Sequence, residues 1–282
     1  MNIQTLGIIG AGQMGNGIAQ VCATAGIKVV MCDINAAAVQ RGIDTVSANL
    51  DRLIKKDKLL AADKQPIIDR IHGTTDLGAL AQSDFIVEAA TENLELKKNI
   101  LKDIDALAKP GAIIATNTSS ISITRLAATV SRPQQFVGMH FFNPVPVMAL
   151  VEVIRGIQTS DETYAATEAL ARRVGKTPIA VKNSPGFVVN RVLVPMINEA
   201  AFVLQEGLAK AEEIDSGMQL GANHPIGPLA LADLIGLDTC LAVMEVLYRE
   251  FNDPKYRPAP LLREMVDAGY LGRKAKRGFY TY

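Results

Sequence analysis

Residues 5–33 read TLGIIGAGQMGNGIAQVCATAGIKVVMCD, and this stretch decides the fold. An apolar run over 6–9 breaks into Gly10, Gly12 and Gly15, spaced G-x-G-x-x-G, and a helical pattern follows. Gly10 permits a tight turn, Gly12 lets the backbone approach a pyrophosphate, and Gly15 lets the helix lie close against the strand. The helix N-terminus then faces the anion. A second apolar run over 28–32 ends on Asp33, where a carboxylate can accept hydrogen bonds from both hydroxyls of an adenosine ribose and repels a 2′-phosphate. No lysine or arginine stands between Asp33 and Arg41, so NAD is expected in preference to NADP. The glycines alone would also suit an ordinary structural turn. Their place between two strands, with an acid at the end of the second, points to a dinucleotide site that includes Gln13 and Met14 of the loop.

Outward from this unit, short β-prone runs alternate with helical patterns. The runs cover 84–88, 112–116, 136–140, 150–154 and 178–181, with a weaker one at 71–74. Several are apolar on consecutive positions, as in parallel strands covered on both faces. Val39, Ile43, Val46, Leu50 and Leu53 draw one stripe along a helix. Strand and helix alternating in this way predict an α/β fold, a Rossmann-type doubly wound, mostly parallel sheet. After Ser184 the pattern changes, because 187–206, 211–220, 228–251 and 260–268 read as helices without strands. The expected domains are therefore 1–184, dinucleotide-binding, and 185–282, all-helical. Segment 228–251 carries few charges, which suits either a subunit contact or an ordinary internal core.

The 282 residues are 49% apolar and 21% charged, and no apolar run approaches the roughly 18 residues of a membrane span. Lysine plus arginine and aspartate plus glutamate both number 29, so no overall basic field exists to hold a nucleic acid. Cys22, Cys32 and Cys240 have no metal-ligand spacing, and no metal is expected. They suit reduced thiols in a reducing compartment. Residues 1–27 hold neither lysine nor arginine, which removes the basic start of a secretory signal and the arginine-rich face of a transit peptide. A cytoplasmic location is expected.

Hydride chemistry at an alcohol carbon needs a base for the hydroxyl proton, and histidine is the usual choice near neutral pH. Of the three histidines, His72 and His224 read as structural or solvated. His140 ends a β-prone run and opens the segment HFFNP, and strand ends are where open α/β sheets place their sites. Glu152 lies on the next run between Val151 and Val153. Buried beside His140 it would fix the imidazole tautomer; on a half-exposed edge strand it would simply face solvent.

At this point the sequence resembles the L-3-hydroxyacyl-CoA dehydrogenases, most closely the short bacterial 3-hydroxybutyryl-CoA dehydrogenases. The resemblance runs end to end: GIIGAGQMGNG at 7–17, EAATEN at 88–93, ATNTSS at 115–120, GMHFFNPVP at 138–146, LVEVI at 150–154, NSPGFVVNR at 183–191 and GFY at 278–280. It implies an NAD-dependent enzyme of fatty acid metabolism that interconverts a (3S)-3-hydroxyacyl-CoA and the 3-ketoacyl-CoA. It also implies that His140 is the acid/base, that Glu152 orients it, and that Ser119 and Asn190 hydrogen-bond the substrate. By the same resemblance Glu92, Lys97, Asn117, Ser119, Asn143 and Lys274 surround NAD. Read without it, Ser119 is turn or helix-cap chemistry, Asn190 is an exposed helix residue, and Lys97 and Lys274 are solvated charges. Arg52, Lys55 and Lys56 place three cations near the end of a helix. They could hold the phosphates of coenzyme A or complement the helix dipole; the resemblance assigns Lys56 to the acyl-CoA, and Arg52 is added to it. It further implies a homodimer whose helical domain closes the substrate cleft. Two other readings stand beside it: a related NAD-dependent 3-hydroxy acid or sugar acid dehydrogenase that does not use CoA, and a non-catalytic NAD-binding structural protein.

Overall fold

The computed structural model describes residues 1–282. Eight strands, β1 (Thr5–Ile9), β2 (Lys28–Cys32), β3 (Ile71–Thr74), β4 (Phe85–Glu88), β5 (Ile113–Thr116), β6 (Phe136–Phe141), β7 (Leu150–Arg155) and β8 (Thr177–Lys182), form one sheet. Their order is β3-β2-β1-β4-β5-β6-β7-β8. The helices threaded among them are α1 (Gln13–Thr24), α2 (Ala36–Ile54), α3 (Lys64–Ile68), α4 (Leu94–Leu107), α5 (Ile123–Ala127) and α6 (Asp161–Arg173). The chain reverses its direction across the sheet after β3, passing to β4 on the other side of β1, which makes the C-terminal ends of β1 and β4 the switch point where such sheets bind ligands.

Strands β1 to β6 are parallel, and their central members are buried on both faces; β4 and β5 have no exposed residue. Between β6 and β7 the pairing turns antiparallel, and β8 then runs parallel to β7. Residues 142–149 contain no helix, and a parallel return needs a connection of about a dozen residues or more, so the chain can only double back. The stripe on α2 packs as its spacing demands. Val39, Val46 and Leu50 are buried, and Ile43 and Leu53 are partly buried against the same core. Asn35 caps this helix by accepting the Ala37 N–H at 2.8 Å.

The chain divides into two compact units, Met1–Asn183 and Ser184–Tyr282. The second is helical: α7 (Val189–Gln205), α8 (Ala211–Ala222), α9 (Pro228–Ile235), α10 (Leu237–Phe251) and α11 (Pro260–Asp267). The single helix expected over 228–251 is two helices. They part at Gly236, whose φ of 107° no helical residue adopts and where a Cβ would come 2.9 Å from Asp238 Oδ1. Val194, Ile197, Leu237, Met244 and Leu247 form the core of this unit.

Two buried carboxylates fasten the end of the chain to these helices. Asp215 accepts the Leu229 and Ala230 N–H groups at the start of α9 and the Tyr280 hydroxyl. Asp233 accepts the Phe279 and Tyr280 N–H groups and the Tyr282 hydroxyl. The motif Gly278–Phe279–Tyr280 is therefore a clasp, with Gly278 so close to Asp233 that a Cβ would sit 1.9 Å from its Oδ1. No helix is long and apolar enough to cross a membrane.

Candidate active site

The glycine loop joins β1 to α1 as the sequence spacing requires. Gly10 has φ of 97°, and a Cβ there would stand 2.7 Å from the Ala89 carbonyl oxygen. At Gly15 a Cβ would stand 1.7 Å from the Gly10 carbonyl oxygen, so only glycine lets α1 start this close to the strand. Gly12 differs, because nothing in the protein lies within 4 Å of where its Cβ would be. That open approach at a helix N-terminus is where a pyrophosphate would be cradled. Asp33 Oδ2 accepts the Ala11 N–H at 2.8 Å, which ties the end of β2 to the loop and leaves Oδ1 without a protein donor. Backbone, helix terminus and carboxylate together fit the phosphates and ribose of NAD. Gln13 stands at the mouth of the loop, whereas the Met14 side chain packs onto the apolar core.

Over this loop lies a cavity of about 580 Å³ lined by Gly12, Asp33, Arg41, Asn49, Arg52 and Asn143 among others. Arg41, Asn49 and Arg52 belong to one face of α2. Arg41, in the second turn of α2, thus shares the cavity with Asp33 at the end of β2. Of the three cations expected together, only Arg52 lines the cavity, held by the Asn49 side chain at 2.9 Å. The helix ends at Ile54 and Asp57 turns left-handed, so Lys55 and Lys56 lie beyond its regular turns and are exposed.

His140 and Glu152 are directly opposite each other in the antiparallel pair β6–β7. Glu152 is fully buried and His140 is 6% exposed; Nδ1 lies 2.7 Å from Glu152 Oε2. Glu152 is on an interior strand, with β8 beyond it, so the solvent-facing alternative does not hold. A carboxylate at Nδ1 makes that nitrogen the proton carrier and turns Nε2 into the acceptor. Phe142 packs on the imidazole at 4.6 Å between ring centroids.

Ser119 lies in the loop after β5, and side chains from two other segments hold this loop. Glu92 Oε1 accepts both the N–H and the hydroxyl of Ser119, at 2.7 and 3.0 Å, while its Oε2 accepts the Thr118 hydroxyl at 2.7 Å. Asn183 accepts the Ile123 N–H at 2.7 Å and donates to Ser122 Oγ at 3.1 Å. Asn117 is buried and accepts the Phe141 N–H at 2.9 Å, pinning the end of β6 next to His140.

Lys97 is 1% exposed, and its ammonium is ion-paired with Glu88 and hydrogen-bonded to Thr116 Oγ1. Glu88 in turn accepts the Ala90 N–H at 2.9 Å. In this conformation Lys97 acts on the β4–α4 loop, which carries Glu92, and has almost no surface to offer a dinucleotide. Lys274 pairs with both oxygens of Asp238 at 2.6 Å inside the helical unit. Asn190 occupies the first turn of α7 and is half-buried.

Sequence reasoning missed Thr118, Asn183 and Lys176. Lys176 donates to the carbonyls of Val145 and Met148, at 2.5 and 2.8 Å, and so anchors the loop that follows His140. Burial holds this ammonium below the usual lysine range, against an opposing pull from Cys22. No local pattern marks such residues, since their partners are distant in sequence.

Residues 5–184 match the family described as "3-hydroxyacyl-CoA dehydrogenase, NAD binding domain", and residues 186–282 match "3-hydroxyacyl-CoA dehydrogenase, C-terminal domain". A probable 3-hydroxybutyryl-CoA dehydrogenase of Deinococcus radiodurans is 54% identical, over 98% of this chain and 99% of that protein. The 3-hydroxybutyryl-CoA dehydrogenase of Bradyrhizobium diazoefficiens is 50% identical, over 99% of this chain and 96% of its own length. Among solved structures, the (S)-3-hydroxybutyryl-CoA dehydrogenase of Ralstonia eutropha superposes with a TM-score of 0.97 at 68% identity, covering 100% of this chain and 99% of that one.

Proposed function

This chain belongs to the 3-hydroxyacyl-CoA dehydrogenase family and is an NAD-dependent oxidoreductase, and from that premise we propose that it interconverts (3S)-3-hydroxybutyryl-CoA and acetoacetyl-CoA with His140 as the acid/base. The observation that carries the assignment of roles is the buried His140–Glu152 pair at the end of β6. In oxidation Nε2 takes the proton of the substrate hydroxyl, and the Glu152 carboxylate stabilises the imidazolium that forms. In reduction the imidazolium returns the proton to the 3-oxygen. Bound NAD supplies the hydride acceptor, and NADH the donor. Asp33 and the glycine loop bind the dinucleotide, while Ser119 and Asn190 supply neutral polar contacts to the reacting end of the bound ligands. Arg52 and Lys56 are the cations proposed for the phosphates of the acyl-CoA. A homodimer and a cytoplasmic location belong to the same proposal; the exposed Val192 and Leu234 of the helical unit are apolar surface that a second copy would bury.

The test is NADH oxidation with acetoacetyl-CoA, free acetoacetate and longer 3-ketoacyl-CoA thioesters. Acetoacetyl-CoA is expected to give the highest kcat/KM. Equal values for free acetoacetate would remove CoA from the assignment, and a maximum at longer chains would remove the four-carbon substrate. Sedimentation of the purified protein reads the dimer directly.

A further inference from the structure

We infer that Lys176 is a positioning residue for the acyl-CoA: its ammonium, clamped between two carbonyls beneath the β6–β7 connection, fixes the wall along which the thioester reaches His140. The inference deepens the proposed function and rests on its placing of the reacting carbon at His140 and of the phosphates at Arg52.

Residues 142–149 leave the sheet after Phe141 and rejoin it at Leu150, forming neither helix nor strand, so their backbone groups need other partners. The Pro144 carbonyl accepts the Val147 and Met148 N–H groups at 2.9 and 3.0 Å, which closes a turn. The carbonyls of Val145 and Met148 then converge on Lys176 Nζ, at 2.5 and 2.8 Å. Two acceptors meeting at one point need at least two protons, and an ammonium offers three with no lone pair to repel them. Lysine is rarely buried without partners, and here it is 8% exposed. The support beneath the clamp is rigid. The Lys176 N–H donates to the Ala171 carbonyl at the end of α6, at 2.9 Å, and the Thr177 N–H at the start of β8 donates to Ala149, at 2.7 Å.

The other side of the same segment faces the site. Asn143, Pro144, Val145 and Pro146 line the cavity that Arg52 also lines. Val145 is buried against α1, where a Cβ on Gly17 would stand 2.8 Å from its own Cβ, so the segment has no slack between α1 and the lysine. Residues 142–146 thus lead from His140 into the cavity, and a substrate with its phosphates at Arg52 and its 3-carbon at His140 lies along them. The acid/base pair does not depend on this clamp, because the β6–β7 ladder and Asn117 hold it. The glycine loop and Asp33 belong to β1, α1 and β2 and are equally independent of it. Loosening the wall should therefore cost substrate binding and spare the proton transfer.

The test is the steady-state reduction of acetoacetyl-CoA by NADH in Lys176→Met, which keeps an unbranched stem and removes every donor. The KM for acetoacetyl-CoA is expected to rise about ten-fold while kcat stays within about two-fold, the signature of lost uniform binding. NADH affinity, read by fluorescence titration, should change by less than about two-fold, through Asn143 alone. Lys176→Gln is shorter and can reach one carbonyl at most, so its KM should rise by less, about three-fold. A role in folding alone would reduce the amount of active protein, lowering kcat and leaving KM where it was; that pattern overturns the inference. If Lys176→Met does not fold, an unchanged KM in Lys176→Gln overturns it equally. An NADH Kd that rises as much as KM would take the wall away from the acyl-CoA. Failure of the proposed function would show elsewhere, as absent turnover of acetoacetyl-CoA by the unmodified protein or as an unchanged KM in Arg52→Ala.

Discussion

His140 and Glu152 are cross-strand partners at the one antiparallel junction of an otherwise parallel ladder, with Nδ1 and Oε2 2.7 Å apart. In a parallel arrangement β7 would present a different residue here, so the reversal of chain direction after Phe141 is what brings the carboxylate to the imidazole. Replacing the acceptor by an amide lets the ring turn its other nitrogen toward position 152. Glu152→Gln should lower kcat by about 10²-fold or more, and His140→Ala by about 10²- to 10⁴-fold. NADH affinity, read by fluorescence titration, should change little in either variant.

The proton bookkeeping separates the two directions of turnover. In the proposed mechanism oxidation requires His140 to accept a proton, so its kcat/KM should fall as the pH is lowered. Reduction requires the protonated ring and should fall as the pH is raised. Initial rates in both directions across one buffer series check this; profiles that move in parallel would exclude a single acid/base group.

One oxygen of Asp33 holds the Ala11 N–H, and the proposed role of the other is to bind the ribose. Asp33→Ser should weaken NADH by about ten-fold, in the range expected for hydrogen bonds to a charged group. NADPH should lose less, since a repelling charge disappears and Arg41 already lines the same cavity. Kd values for the two dinucleotides give the ratio, which should move toward NADPH.

Asp84 offers a test of stability against pH. Partial burial pushes its carboxyl up, but the Lys109 hydrogen bond, the Thr5 and Gln4 N–H groups and the Lys109 charge outweigh this and hold it below the ordinary carboxylate value. A carboxyl more acidic in the folded than in the unfolded chain contributes stability above the unfolded value, and loses it as the pH falls through the folded one. Asp84→Asn should therefore cost about 1–3 kcal/mol at pH 7, and the difference should shrink on acidification below the usual carboxylate range. Urea unfolding at neutral and acid pH measures it.

The three thiols should be silent in the native protein. Burial pushes those of Cys22 and Cys240 up to about 12, the latter helped by Asp238 and Asp233, and raises that of Cys32. A disulfide reagent at pH 8 should titrate all three only after unfolding, because the thiolate is the reactive form.

Much of the fold was legible because it is written in local patterns. Seven of the eight strands announce themselves as short apolar runs, β3 (IHGT) gives only a weak signal, and the stripe from Val39 to Leu53 marks α2. The reversal at β7 was legible in principle, since residues 142–149 are too few for a parallel return. The break at Gly236 was hidden by a continuous apolar pattern on both sides. At the site, the glycine loop, Asp33 and His140 could be found from spacing and strand ends. Glu92 and Asn183 could not be given their partners, because they meet the Ser119 loop from positions 27 and 61 residues away. The burial of Lys97 was equally invisible, as its neighbour Lys98 pairs with Glu95 on the solvated side of the same helix.

The clasp at residues 278–282 gives the helical unit a built-in order of assembly. Asp233 leaves the ribosome well before the Phe279 and Tyr280 amides and the Tyr282 hydroxyl that it accepts, so during synthesis water takes their place, while Asp215 already holds the Leu229 and Ala230 N–H groups and lacks only the Tyr280 hydroxyl. Closure of this unit is deferred until residues 278–282 emerge, and a polypeptide truncated before Gly278 would leave Asp233 without the donors that its burial requires.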